Sequence, residues 1–322
     1  MVSTTTSQQD FEPTTEFNDS IAQVLHNWNT GELPFKEALA LVSARSQEAI
    51  ASNHFANQGR AEHALGYLQH YRGDLNASTR HYERARQLFQ RIGNNRRMAT
   101  MDMNNGENYR LKGDFLRARR LYRDAFDAAV ELENIPLQAM SSVNEGLVLM
   151  AMVQMSEALT VLERAHNIIE QWTDEASENT RKRLLCELYH GLTSIYLYEN
   201  RLDEAWDAAC KAMDYVKQAP EKIQLGMAYR NLGEVVGRLE SVPESDYPSD
   251  PDEYFRIALD IFREMNMEAE IAKTIFAQAQ NLAHRGRKTM AARKLQQVMI
   301  MFTEMGMVDD AARAAQVQLA VT

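Results

Sequence analysis

Leu68-Gln-His-Tyr-Arg-Gly-Asp-Leu75 and Asn108-Tyr-Arg-Leu-Lys-Gly-Asp-Phe115 carry the same punctuation, an apolar-periodic run closed by Gly-Asp and an apolar residue. Each is followed by a second run, Thr79-Arg-His-Tyr-Glu-Arg-Ala85 in one case and Arg119-Arg-Leu-Tyr-Arg-Asp-Ala125 in the other. Glycine tolerates the left-handed backbone that closes a helix, and Asp can cap the next one. Each stretch therefore predicts the turn of an antiparallel helix pair. Gly73 and Gly113 are about 40 residues apart, the period of stacked helical repeats.

The frame extends in both directions. Val153-Gln-Met-Ser-Glu-Ala158, Asn200-Arg-Leu-Asp-Glu-Ala205 and Gly286-Arg-Lys-Thr-Met-Ala291 hold later turns, and Thr30-Gly31-Glu-Leu-Pro-Phe35 holds a divergent first one. Most of these turns have Gly or Asn; Val153 is the exception. Ala118, Tyr122 and Ala125 lie on one helical face, and Ala158, Leu162, Ala165 and Ala205, Ala209, Ala212 repeat that spacing. Small residues there predict close helix contact. The glycines in Leu65-Gly66, Asn105-Gly106, Glu145-Gly146 and Leu232-Gly233 share one position in the first helices. Glycine inside a helix costs about 1 kcal/mol relative to alanine, so its recurrence also predicts tight packing.

These residues resemble the tetratricopeptide repeat (TPR), with its Leu-Gly, Tyr, Gly-Asp turn, then Ala, aromatic, Ala. The resemblance covers roughly residues 17–320. Glu62, Asp102 and Ser142 stand where an aromatic is usual, Tyr189 and Tyr229 keep it, and the closing proline is missing. Helices close instead as Phe89-Gln-Arg-Ile-Gly-Asn94, Phe262-Arg-Glu-Met-Asn266 and Phe302-Thr-Glu-Met-Gly306. Long repeats of this type are similar to the sensor arrays of MalT-type regulators and of peptide-binding quorum-sensing proteins. The resemblance implies an all-α, right-handed superhelical solenoid with ligand-regulated contacts. About seven antiparallel pairs are expected, turning near Gly31, Gly73, Gly113, Val153, Asn200, Glu240 and Gly286, with a capping helix over Val308 to Leu319. The domain plan is a disordered tail over 1–15 and one array over 16–322. Within it, Ser241-Val-Pro-Glu-Ser-Asp-Tyr-Pro-Ser-Asp250 is an acidic loop insertion, and Asp250 caps a helix with Pro251 at its first position.

Composition narrows the function. The chain has 322 residues and a formal net charge of −10, which disfavours nucleic acid as a partner. Two cysteines, Cys186 and Cys210, are too few for a disulfide framework. The polar amino terminus has no apolar core of a leader, and no apolar run approaches membrane-spanning length. A cytoplasmic setting is expected. There is no G-x-S-x-G, P-loop, G-x-G-x-x-G or H-E-x-x-H, so no catalytic role and no cofactor is assigned.

Stacked pairs curve, and their first helices line the concave wall. Counting back from each turn places His63, Tyr67 and His70 on that wall, then Met103, Glu107 and Arg110, then Val143, Leu147 and Met150. His190 and Ser194 follow, then Arg230 and Glu234. Asn104, Asn144 and Asn231 share one position, where an amide can both donate to and accept from a peptide backbone. An apolar centre between polar flanks suits a partner helix or extended peptide; packing among neighbouring helices is the alternative for every one of these side chains. His63 and His70, seven residues apart, lack the further ligands that a metal site needs. The basic clusters Arg117-Ala-Arg-Arg120 and His284-Arg-Gly-Arg-Lys288 read as salt-bridged surface before they read as phosphate sites. The expected function is a protein- or peptide-binding scaffold. The alternatives are a ligand-sensing module beside a separate effector, or self-assembly through end faces where Met299, Met301, Met305 and Met307 cluster.

Overall fold

The computed structural model describes residues 11–174, 177–218, 221–244 and 247–321. The described residues form fifteen α-helices. They run as antiparallel pairs: α1 (Thr15–Asn29) with α2 (Phe35–Ala51), α3 (Phe55–Arg72) with α4 (Leu75–Arg91), and α5 (Asn95–Leu111) with α6 (Phe115–Glu131). Next come α7 (Ile135–Ala151) with α8 (Met155–Gln171), and α9 (Glu178–Tyr198) with α10 (Leu202–Gln218). The last pairs are α11 (Lys222–Val236) with α12 (Pro251–Glu264) and α13 (Glu268–His284) with α14 (Lys288–Glu304), closed by the single helix α15 (Val308–Val321).

The turns share one backbone device. Gly73, Gly113 and Gly286 adopt φ of +90°, +81° and +73°, and Val153 and Asn200 occupy the same left-handed region at +61° and +58°. The side chains of Asp74 and Asp114 then accept from the backbone N–H of Ala77 and Arg117, capping α4 and α6. Asn94 and Asn134 cap α5 and α7 in the same way. Chain direction thus reverses within a few residues at each of these turns, and the helices they join must pack side by side.

The recurring first-helix glycine has a tertiary cause. A Cβ on Gly66 would come within 2.6 Å of the Tyr82 ring, and one on Gly106 within 2.7 Å of Tyr122. On Gly146 it would meet Leu162 at 2.6 Å. Each glycine is the socket for the large residue of its partner helix. The small residues on the second helices do the converse: Ala118, Ala158, Ala165, Ala205 and Ala209 have no exposed surface.

The array does not stay open. α13 packs against α3, and α15 packs against α5. One hydrophobic cluster therefore joins Phe17, Trp28, Phe35 and Leu68 from the amino-terminal pairs to Phe262, Ile275, Phe302 and Met307 from the carboxy-terminal ones. Met305 lies directly under the Gly73 turn, and Met299 and Met301 pack on the same cluster. Of the methionine group expected at a free end face, Met307 is buried in this cluster and Met299, Met301 and Met305 are half-buried against it.

Of the disordered tail expected over 1–15, residues 1–10 lie outside the described residues, and Thr15 already begins α1. Residues 11–14 are tied down: Thr14 N–H donates to Asn57 Oδ1, Asn94 Nδ2 donates to the Phe11 carbonyl, and Glu12 pairs with Arg97 at 2.7 Å. In the acidic insertion, Asp250 caps α12 as expected, Tyr254 donates to the Pro248 carbonyl, and Tyr247 packs edge-on against Trp206. No helix among the described residues is long and apolar enough to cross a membrane.

Candidate functional site

The first helices of the pairs, α3 through α13, line a half-open cavity of about 600 Å³, with Asp310 and Arg313 of α15 at one side. That size is within the range of sites that enclose a ligand. The i, i+3/i+4 spacing on each first helix turns one stripe inward, and the counting rule from the turn finds that stripe. His63, Tyr67, His70, Met103, Asn104, Glu107 and Arg110 all line the cavity. So do Asn144, Leu147, Met150, His190, Ser194, Arg230 and Glu234. Val143 and Asn231 do not reach it. Val143 is fully buried among neighbouring helices, and Asn231 is covered by His190, which sits over its amide.

The wall is a set of charged clusters around an apolar stretch. Glu107 accepts from Arg110 and from the Tyr122 hydroxyl at 3.0 Å. Burial alone would raise the Glu107 carboxyl, but the charge and hydrogen bonds of Arg110 outweigh it and hold it at about 2. Glu270 binds Arg230 Nη1 at 2.7 Å and Lys273 Nζ at 2.8 Å. Its carboxyl is likewise held far below the usual range, against burial, by those two cations. Arg183 pairs with Glu187 at 2.7 Å, and Gln224 donates to Glu187 at 3.0 Å. Met140, Leu147, Met150 and Met227 supply the apolar stretch.

Three cavity histidines bond an asparagine of another repeat. His63 Nε2 lies 3.0 Å from Asn104 Nδ2, His70 Nδ1 lies 2.8 Å from Asn108 Oδ1, and His190 Nδ1 lies 2.5 Å from Asn231 Oδ1. Burial lowers the pKa of all three, and His190 falls to about 4. These rings are neutral at pH 7. Asn104 and Asn231 thus have partners inside the protein. Asn144, at the same repeat position, forms no hydrogen bond among the described residues and faces the cavity. Two wall carboxylates also lack a hydrogen bond or ion pair. Burial raises Glu221, opposed in part by Arg183, and burial raises Glu234, opposed by Arg230.

Reading the sequence by turn position missed Tyr71, Arg183, Glu187, Glu270 and Lys273, all of which line the cavity. Arg183 and Glu187 carry a signal, an i, i+4 ion pair one turn upstream of His190. Glu270 and Lys273 belong to the seventh pair, to which no wall position had been extended. Both basic clusters are partly neutralised, Arg120 lying 3.8 Å from Asp124 while Arg117 makes no ion pair among the described residues. Arg285 and Arg287 approach Asp252 at 3.8 and 3.6 Å, and Arg119 pairs with Glu157 at 2.8 Å.

The fold is a TPR-like helical solenoid. No protein-family profile and no curated protein sequence matches the chain. Solved structures do. A Rap protein complexed with competence and sporulation factor superposes with a TM-score of 0.67 at 14% identity, covering 93% of this chain and 78% of that one. Aspartyl phosphate phosphatase F from Bacillus subtilis gives 0.63 at 16% identity, covering 89% and 70%. The apo form of the quorum sensor NprR from B. thuringiensis gives 0.52 at 10% identity, covering 95% and 98%. At these identities the likeness establishes the architecture.

Proposed function

We propose that the array binds a short peptide, or an extended segment of a partner protein, inside its cavity, and that it acts as a non-catalytic, ligand-regulated adaptor in the cytoplasm. The observation that carries this reading is the concave wall: an apolar stretch at Met140, Leu147, Met150 and Met227, flanked by charged clusters and by the free amide of Asn144. Such a wall can bury apolar side chains while Asn144 meets the backbone. Similar arrays support it, since two solved neighbours are complexes with competence and sporulation factor and with the Phr* peptide. The catalytic alternative is disfavoured because Glu107 and Glu270 are bound to the protein's own cations and His63, His70 and His190 to its own amides. Self-assembly through the terminal methionines is disfavoured because they pack internally.

The test is a thermal-shift screen of the full chain against pooled hexapeptides, repeated on Asn144→Ala and Leu147→Glu. A pool that raises Tm in the parent and fails in Leu147→Glu supports the cavity. A screen in which no pool raises Tm, or in which Leu147→Glu responds like the parent, refutes it.

A further inference from the structure

The outer surface has a charge distribution that the cavity reading does not use. Between residues 80 and 123 the sequence holds twelve Arg or Lys and four Asp or Glu. A surplus of eight positive charges thus sits in a chain of net −10, whose remainder carries −18. Some of these cations are consumed: Arg86 pairs with Asp102 at 2.6 Å, Arg97 with Glu12, Arg110 with Glu107, Arg119 with Glu157, and Arg120 with Asp124 at 3.8 Å. Arg80, Arg84, Arg91, Arg96, Arg117 and Arg123 are exposed and make no ion pair among the described residues.

Their placement is orderly. Arg80, Arg84 and Arg91 follow one another along α4 at i, i+4 and i+11, one face of that helix. Arg117, Arg120 and Arg123 advance along α6 in steps of three. Both helices pack on α5, so the two rows are neighbours on the outer side of consecutive repeats. Lys112 joins their heads. It donates to Thr79 Oγ1 at 3.1 Å, and its ammonium lies close enough to Arg80 and Arg117 for their charges to help push its pKa down, behind burial. Two guanidiniums are held in place by rings: Arg117 lies 3.9 Å from the Tyr109 centroid and Arg91 lies 4.0 Å from that of Phe55. Stacking fixes the guanidinium plane and leaves its edge N–H groups free for an acceptor.

We propose that the outer face of α4 and α6 is a docking surface for an acidic segment of another protein, of about one helix in length. Three features favour a protein over a nucleic acid. The seventeen-residue helices are each about 25 Å long, and the basic rows on them are shorter, about 16 Å along α4 and about 9 Å along α6. A nucleic acid continuing beyond them runs over acidic flanks and is repelled. Glu83 and Asp114, with Asp124, Asp127 and Glu131 on α6, are exposed among the arginines, so the surface is patterned in both signs. A protein segment can set carboxylates against the arginines and a basic group against Glu83, which a uniform phosphate backbone cannot.

Fluorescence anisotropy on the full chain tests this with two labelled probes of matched length, an alternating Glu-Ala peptide of about 20 residues and an oligothymidylate. The variants are Arg80→Glu with Arg84→Glu and Arg117→Glu, and, as a milder change, Arg84→Glu with Arg123→Glu. All are exposed residues outside the cavity, and circular dichroism checks that they fold. The acidic peptide should bind the parent more tightly than the oligonucleotide, weaken as salt rises from about 50 to about 200 mM, and weaken on the order of tenfold in the triple variant. Tighter binding of the oligonucleotide would assign the face to nucleic acid. Absence of peptide binding, or binding that survives both variants, removes the proposal. Sedimentation showing self-association that the variants abolish would replace the acidic partner with a second copy of this chain.

Discussion

The Arg230–Glu270–Lys273 cluster permits a quantitative test of how the cavity wall is held. The side chains of Arg230 and Glu270 are only 5% and 6% exposed, and each Glu270 oxygen has its own cation, at 2.7 and 2.8 Å. Glu270→Gln keeps the shape and removes the charge. It leaves the buried Arg230 guanidinium without an ionic partner, a change that costs about 3–5 kcal/mol. Arg230→Met is milder, because Glu270 keeps Lys273, and the loss of one charged hydrogen bond costs about 2 kcal/mol. The double variant should cost less than the sum, with a coupling of about 1–3 kcal/mol. Urea denaturation of the four proteins at neutral pH measures all three quantities. The pH dependence gives a second reading with a fixed sign. Glu270 has a folded pKa far below its unfolded value, so its contribution is present above about pH 4.5 and is lost as pH falls below that. Glu270→Gln should therefore flatten the acid limb of the parent's stability curve. Were Glu270→Gln no more damaging than Arg230→Met, or the acid limb unchanged, the view that two cations jointly hold this carboxylate would be wrong.

Other outcomes follow from single contacts. Gly106→Ala should destabilise by about 1–3 kcal/mol through overpacking against Tyr122, although alanine is the better helix former; chemical denaturation measures it. Val153→Gly should raise Tm, because a branched residue at φ +61° carries a left-handed penalty of about 1–2 kcal/mol that glycine avoids; an unchanged or lower Tm counts against strain at that turn. His63, His70 and His190 have folded pKa values below the unfolded value, so their contribution is complete above about pH 6.5 and declines as pH falls from there toward 4. His190→Gln, titrated by thermal melts, should lose part of that decline.

Most of the solenoid was legible because its signals are local and repeat. The left-handed turns at Gly73, Gly113 and Gly286 and the caps Asp74 and Asp114 act within a few residues of themselves. Inward-facing positions followed from helical periodicity once the turns were fixed, which is why His63, Met103, Leu147 and Arg230 could be placed on the wall. Val143 and Asn231 mark the edge of that rule. Each is about one position away from a wall-facing residue, and a rotation of about 100° per residue decides between cavity and core.

Contacts between the two ends of the chain were not legible. Local patterns fix each pair, but the curvature summed over the pairs decides whether α13 meets α3 and α15 meets α5. That closure puts Met305 under Gly73 and turns a concave face into a half-open cavity walled by both ends of the array. It also makes Glu270 and Lys273 part of a wall that faces residues some two hundred positions earlier in the chain. Sequence by itself determined the repeating unit, because its forces act over a single turn or a single pair of helices. Only the tertiary structure decided the cavity, because small rotations between neighbouring pairs accumulate along the array and no one of them is written in a single motif.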